Sequence, residues 1–316
     1  MAMPLVETKN LKKYFKTGAG MLHAVEDVNL KIMPGKTLGV VGESGCGKST
    51  LGRTILRLQP ATASEVLYNG ENILKYKGKD MQKIHLNMQM VFQDPYSSLD
   101  PRMSVHNLIA EPVQVCGLLK TKAEINEHVR EIMDMCGLPA DQANLFPHEL
   151  DGGLRQRVGL ARAMAVSPKF IVCDEPVSAL DVSIQAQILN LLMDLQEQRE
   201  LSYMFITHDL CVVKHISDEI MVMYMGQVVE HAKTAELFAN PVHPYTKALL
   251  HAVPTIDLSK RNREGFMLRG EVTSPINPAP GCRFAPRCPY ATDKCKENVC
   301  LKEVSPDHFV ACSLCD

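Results

Sequence analysis

Short apolar runs recur along this chain, separated by stretches where apolar residues return every three or four positions. Thr37-Leu-Gly-Val-Val41, Met88-Gln-Met-Val-Phe92, Phe170-Ile-Val-Cys-Asp174 and Tyr203-Met-Phe-Ile-Thr207 read as buried strands. Leu51–Leu58, Val105–Val115, Lys122–Cys136, Val158–Val166 and Ile184–Glu200 read as helices, with Gly117 and Gly137 as stops. Strands alternating with helices predict an α/β fold with a parallel sheet covered on both faces. Residues 4–36 read instead as short strands and turns: Val25–Ile32 alternates like a half-buried strand, and Pro34-Gly35 marks a turn. Val66–Gly70 reads as an edge strand, and Ile220–Glu230 as a hairpin turning at Gly226. From Ser98 to about Arg157 the pattern is helical, which predicts a helical subdomain inserted into the α/β core. After Pro241 proline and cysteine accumulate, so the expected domains are 4–240 and a small separate module over 241–316.

Composition narrows the class. The 316 residues are 46% apolar and 22% charged, as in globular proteins. A net charge of −2 gives no basic field to recruit nucleic acid. Lys9, Lys12, Lys13 and Lys16 read as a solvated edge. The start, Met-Ala-Met-Pro-Leu-Val-Glu, has no apolar signal core, and no apolar run approaches the roughly 18 residues of a membrane span. The expected location is therefore cytosolic, with any membrane link made through a partner. Of eleven cysteines, Cys282, Cys288, Cys295, Cys300, Cys312 and Cys315 lie near the end, a distribution that favours metal ligation over disulfides.

Gly42-Glu-Ser-Gly-Cys-Gly-Lys-Ser-Thr50 fits G-x-x-x-x-G-K-[ST] between an expected strand and an expected helix. Backbone amides from Gly42, Glu43, Ser44, Gly45, Cys46 and Gly47 and a helix N-terminus then surround an anion. Lys48 reaches the outer phosphates, Ser49 ligates Mg²⁺, and Thr50 stands next in the turn. Asp174 ends a strand where ligands of open α/β sheets collect, a place for Mg²⁺, and Glu175 follows to orient or deprotonate water. Gln93 follows a buried run and is either a sensor of metal and water or a loop amide. His208 is either a contact to the terminal phosphate or a core histidine. Leu150-Asp-Gly-Gly-Leu-Arg-Gln-Arg157 is either a second anion-binding helix start or an ordinary turn.

Taken together, the phosphate loop, Gln93, residues 150–157, Asp174-Glu175, Ser178-Ala-Leu-Asp181 and His208 resemble the nucleotide-binding subunit of an ABC transporter over roughly residues 5–235. Val91–Arg102, Asp174–Gln187 and His243-Pro-Tyr-Thr246 are similar to the dipeptide/oligopeptide/nickel importer group. The resemblance implies a P-loop NTPase with a RecA-like core, an antiparallel β subdomain, an inserted helical subdomain and a small Cys-rich C-terminal module. It implies ATP with Mg²⁺ held by Ser49, Gln93 and Asp174, and catalysis by Glu175, His208, Gln93 and Lys48. An aromatic residue, Phe15 or alternatively Tyr14, stacks on adenine. Asp151, Gly152, Gly153 and Asp181 act at a dimer seam. The implied partners are a second ATPase subunit, two transmembrane permease subunits and, indirectly, an extracellular substrate-binding protein. The implied location is the cytoplasmic face of the membrane.

One position departs from the family signature Leu-Ser-Gly-Gly-Gln: Asp151 stands where serine donates to the γ-phosphate of the partner's ATP. Two like charges ~4 Å apart repel by about 4 kcal/mol at an effective dielectric of ~20. The expectation is a heterodimer with one weakened composite site, the alternative being a carboxylate turned away or protonated. The function expected is an ATPase powering peptide import; a regulatory subunit with one degenerate ATP site and a nickel-chelate importer stand as alternatives. Cys282, Cys288, Cys295 and Cys312 space as C-x5-C-x6-C-x16-C. That spacing suits a [4Fe–4S] cluster or Zn²⁺, although these four lack the tight pairs of zinc knuckles. The resemblance favours the cluster, with Cys300 and Cys315 as spare ligands.

Overall fold

The computed structural model describes residues 3–253, 274–297 and 299–315. Along the chain, the strands β1 (Val6–Thr17), β2 (Gly20–Ile32) and β3 (Thr37–Val41) precede helix α1 (Lys48–Ile55). Strands β4 (Ala63–Tyr68) and β5 (Glu71–Asn72), helix α2 (Gly78–Asn87) and strand β6 (Met88–Val91) follow. A helical run comes next: α3 (Pro95–Ser98), α4 (Val105–Val115), α5 (Lys122–Met135) and α6 (Gly152–Met164). Then come β7 (Phe170–Asp174), α7 (Val182–Arg199), β8 (Ser202–Ile206) and α8 (Leu210–Ile216). The chain continues through β9 (Glu219–Tyr224), β10 (Gln227–Lys233), α9 (Thr234–Ala239), α10 (Pro244–Ala252), β11 (Lys302–Ser305) and β12 (His308–Val310).

The chain divides into two compact units. One holds the residues up to Ile32, Thr37–Leu74 and Phe205 onward; the other holds Met33–Lys36 and Lys75–Met204. In the first, an antiparallel sheet runs in the order β2-β1-β4-β5. Residues 4–36 thus form two long strands rather than short ones. β4 lies inside the sheet, not at its edge, because it pairs with both β1 and β5. The alternation in β2 breaks at Asp27, whose φ of 49 turns Val28 inward. A second sheet of this unit runs β11-β12-β10-β9-β3. β3 lies parallel to β9, and β9 and β10 form the expected hairpin, turning at Met225-Gly226.

The described residues after 241 belong to the same compact unit as the sheet around β9 and β10, rather than to a unit of their own. β12 pairs with β10 through Glu230↔Val310 and His231↔Phe309. Tyr245 and Phe284 enter one core with Val41, Val222 and Tyr224. A buried carboxylate fastens this junction: Glu230 accepts from the amides of Val242 (2.8 Å) and His243 (2.9 Å) and pairs with His308 Nε2 at 2.8 Å.

In the second unit β6 lies parallel to β7. Helices α4, α5 and α6 pack on one another. They bury Leu108, Ile109 and Val113, then Val129, Ile132 and Met133, then Val158, Ala161 and Met164, with members of each group three or four residues apart along one face. Helix α6 begins six residues earlier than its apolar pattern suggests, because Asp151 caps it ahead of the apolar face. Helix α1 begins at Lys48 and ends at Ile55, short of Leu58, where Arg57 takes a left-handed φ of 56.

Candidate functional site

The site residues from the first unit gather where β3 meets α1. β3 is buried along its whole length, so the loop after it leaves the sheet from a fixed point. Gly42 has φ +154, and a Cβ there would come within 2.2 Å of the Met223 carbonyl oxygen. Gly47 has φ +106, and its Cβ would meet the Ala24 oxygen at 2.0 Å. Both positions therefore require glycine. The β9–β10 turn supports the loop from behind, with the Gly226 amide donating to the Cys46 oxygen at 2.7 Å. Lys48 is buried and its Nζ donates to the carbonyl oxygens of Gly42 (2.7 Å) and Glu43 (3.0 Å). Ser44 and Gly45 face solvent, and Ser49 and Thr50 are half-buried in the first turn of α1. Burial pushes the Cys46 thiol up, so it stays protonated and unreactive.

His208 is exposed and follows Thr207, whose amide donates to the Val40 oxygen at 3.1 Å. It thus leaves the sheet beside the strand that feeds the loop. The neighbouring Asp209 caps α8 by accepting from the Cys211 amide at 2.7 Å.

Tyr14 and Phe15 are distinguished by their neighbours. Tyr14 stacks on His23 with ring centroids 4.0 Å apart and donates its hydroxyl to Glu26 at 2.5 Å. Burial and that bond push its phenol up to about 12. Phe15 is half-buried, and Lys13 Nζ sits 4.6 Å from its ring centroid.

In the second unit, Asp174 is fully buried at the end of β7. Glu175 turns out of the strand with a left-handed φ of 47, and its carbonyl accepts from Ser178 Oγ at 3.1 Å. Its carboxylate accepts from Gln93 Nε2 at 2.9 Å, which joins two residues widely separated in sequence. Asp151 stands at the cap of α6, its Oδ1 accepting from the Leu154 amide at 2.8 Å. Gly153 lets the helix approach α7: a Cβ there would meet Ile184 Cγ2 at 2.6 Å. Asp181 precedes α7 and is exposed.

Three residues carry structure at these sites that the sequence reading had not assigned. Arg155 is buried, donates to the oxygens of Pro147 (2.7 Å) and Leu150, and lies 3.7 Å over the Tyr96 ring. It holds the segment that leads into Asp151. Tyr245 and Arg287 both bond to Glu43 of the phosphate loop. The only sequence signal was that His243-Pro-Tyr-Thr246 stood out as a string.

The tail cysteines do not form the expected ligand set. All are free thiols. The Cys282 amide donates to the Cys295 oxygen at 2.8 Å, and Cys295 Sγ lies 3.2 Å from Ser313 Oγ. Burial pushes Cys282 and Cys288 up, and neighbouring Cys295 and Cys312 add to it. The bond with Ser313 draws Cys295 down. Among the described residues no group of three or more His, Cys, Asp or Glu side chains is disposed to hold a metal ion. Cys295 Sγ is bonded to Ser313, which is next to Cys312 in the chain.

Known proteins resemble the chain closely. Residues 25–178 match the ABC transporter family, and residues 229–295 match the oligopeptide/dipeptide transporter C-terminal region. The oligopeptide transport ATP-binding protein AppF of Bacillus subtilis is 47% identical over 98% of this chain and 97% of its own length. OppF of the same organism is 48% identical over 99% and 97%. Among solved structures, a dimeric post-hydrolysis state of the ATP-binding cassette MJ0796 bound to ADP and Pi superposes with a TM-score of 0.67. It is 30% identical and covers 72% of this chain and 98% of its own. Among the described residues no helix is long and apolar enough to cross a membrane.

Proposed function

The chain belongs to the ABC transporter ATP-binding proteins of the oligopeptide/dipeptide type, and on that premise we propose that it binds and hydrolyses MgATP to drive peptide import through a membrane permease. The observation that carries this is the intact phosphate loop, with its required glycines and buried Lys48, in a chain that also has the oligopeptide/dipeptide C-terminal region.

Each chemical role follows from residue type and motif. The loop amides and Lys48 take the β- and γ-phosphates. Lys48 now donates to two loop carbonyls, so it exchanges those bonds for phosphate oxygens when nucleotide enters. Ser49, Gln93 and Asp174 supply the oxygen donors that a hard cation prefers. Mg²⁺ held by them would offset charge on the phosphates. Glu175 orients and deprotonates the attacking water, and Gln93 holds its carboxylate at 2.9 Å. His208 meets the terminal phosphate, and Phe15 stacks on adenine, since Tyr14 is already engaged with His23 and Glu26.

The partners in this reading are a second ATPase subunit, two permease subunits and, through them, a substrate-binding protein at the other membrane face. The chain works at the cytoplasmic surface. Co-expression with these subunits, followed by peptide-stimulated ATP hydrolysis in vesicles, tests the assignment. A complex that hydrolyses ATP in response to nickel chelates and not to peptides moves it to the nickel branch.

Asp151 supports an asymmetric version. A carboxylate has no proton to donate to a γ-phosphate, and one oxygen of Asp151 already accepts from its own helix, so the composite site using this chain's 150–154 segment is the weaker one. Glu175→Gln and the equivalent change in the partner, made separately, should then reduce transport-coupled hydrolysis unequally; equal losses remove the asymmetry.

A cluster or zinc on Cys282, Cys288, Cys295 and Cys312 is supported by spacing and not by side-chain placement. Iron, sulfide and zinc analysis of anaerobically purified protein tests it, and a colourless, metal-free sample that still hydrolyses ATP ends it.

A further inference from the structure

Glu43, the second residue of the phosphate loop, is held at three points. Its amide donates to Tyr245 Oη at 2.8 Å. Its carboxylate accepts two bonds from one guanidinium, Arg287 Nη1 to Oε2 at 2.8 Å and Nη2 to Oε1 at 3.1 Å. Its carbonyl accepts from Lys48 Nζ at 3.0 Å. A two-pronged Arg–carboxylate bond fixes direction as well as distance. The Arg287 side chain is only 7% exposed and that of Glu43 24%, so solvent screens the pair less than a surface pair.

Both holding residues are themselves fixed. The Tyr224 and Tyr245 rings meet edge to face at 4.8 Å, and Phe284 packs on each at 5.2 and 5.4 Å. Arg287 donates to Tyr224 Oη at 3.4 Å, three residues along the chain from Phe284. The two struts therefore rise from one aromatic cluster in the core of this unit.

We propose that Arg287, together with Tyr245, is a positioning residue for nucleotide binding. Through Glu43 the C-terminal region keeps the loop amides turned toward a bound triphosphate. This rests on reading residues 42–50 as the ATP site. When phosphate draws Lys48 away, Glu43 loses its inner tether. The two outer tethers keep the loop open, and less binding energy goes into ordering it.

The test uses the full-length chain, with MgATP affinity, KM and kcat for hydrolysis, and thermal unfolding without nucleotide. Arg287→Met and Glu43→Gln should each weaken MgATP binding about threefold to tenfold. The double variant should be no worse than Arg287→Met alone, because both changes break the same two-pronged contact. For Arg287→Met, KM should rise more than kcat falls, and Arg287→Lys should recover part of the loss. Wild-type affinity in Arg287→Met overturns the proposal, as do additive losses. Recovery in Glu43→Gln and in the double variant also overturns it, since Arg287 would then only neutralise a charge near the phosphates. A lowered unfolding temperature with unchanged affinity marks a structural brace and overturns it too. If Arg287→Met does not fold, the isosteric Glu43→Gln carries the test alone. Failure of the unaltered protein to bind MgATP would instead remove the ATP-site reading.

Discussion

Gln93 Nε2 donates to Glu175 Oε2 at 2.9 Å, which ties the loop after β6 to the acidic end of β7. A carboxylate held this way is oriented before substrate arrives. Glu175→Gln is expected to lower ATP hydrolysis by roughly 10²–10⁴-fold while leaving ATP binding intact. Single-turnover hydrolysis and nucleotide titration on the same sample check this. Hydrolysis within a few-fold of the unaltered protein would reassign the base.

Asp151→Ser separates the two jobs of that position. Serine caps a helix about as well as aspartate, so the unfolding temperature should barely change. It also restores a hydroxyl donor. In the assembled transporter the hydrolysis rate is expected to rise; an unchanged rate means that Asp151 does not weaken a site.

His243 makes stability pH-dependent. Burial depresses its imidazole to about 4, and its Nδ1 accepts from the Tyr245 amide, which requires the neutral ring. The carboxylate facing this turn, Glu230, is bonded to the His243 amide and to His308. The unfolded chain takes up a proton near pH 6.5, whereas the folded chain does so only near 4. Between those values the unfolded state binds more protons, so this contribution is complete above pH 6.5 and is lost as pH falls toward 4, by up to about 3 kcal/mol. His243→Asn keeps a capping oxygen and removes the titration. Urea midpoints at pH 5 and pH 7 should lie closer together in the variant.

Phe15→Ala is expected to weaken ATP binding by about 1–3 kcal/mol, the usual worth of base–aromatic stacking. Tyr14→Phe should leave ATP binding nearly unchanged and instead perturb the packing around His23 and Glu26. The opposite ranking would move the adenine platform to Tyr14.

The buried strands at 37–41 and 170–174 and the helix at 105–115 were legible because each is a complete apolar or periodic segment bounded by breakers. Helix α6 was misread because its first turn, Gly152-Gly-Leu-Arg155, lacks an apolar stripe and is set by the cap at Asp151. β4 read as an edge because sequence shows a strand's own alternation and not what pairs on each side of it. The phosphate loop is contiguous and so could be read directly. Glu43–Arg287 joins residues far apart in sequence, and neither stands in a motif that names the other. The cysteine spacing invited a metal, yet spacing does not say which way a thiol points, and Cys295 points to Ser313.

Glu230 limits how this protein can be divided or recombined. Its fully buried carboxylate draws its donors from the start of the tail and from its last strand. A version ending at residue 240 would remove all three of these donors and strip away the segments that cover the carboxylate. The tail is thus no detachable accessory that one importer can lend to another. A chimera that exchanges C-terminal regions between related ATPases must keep the donors of residue 230 and the two residues that grip Glu43, or it will inherit a loop that no longer fits its own frame.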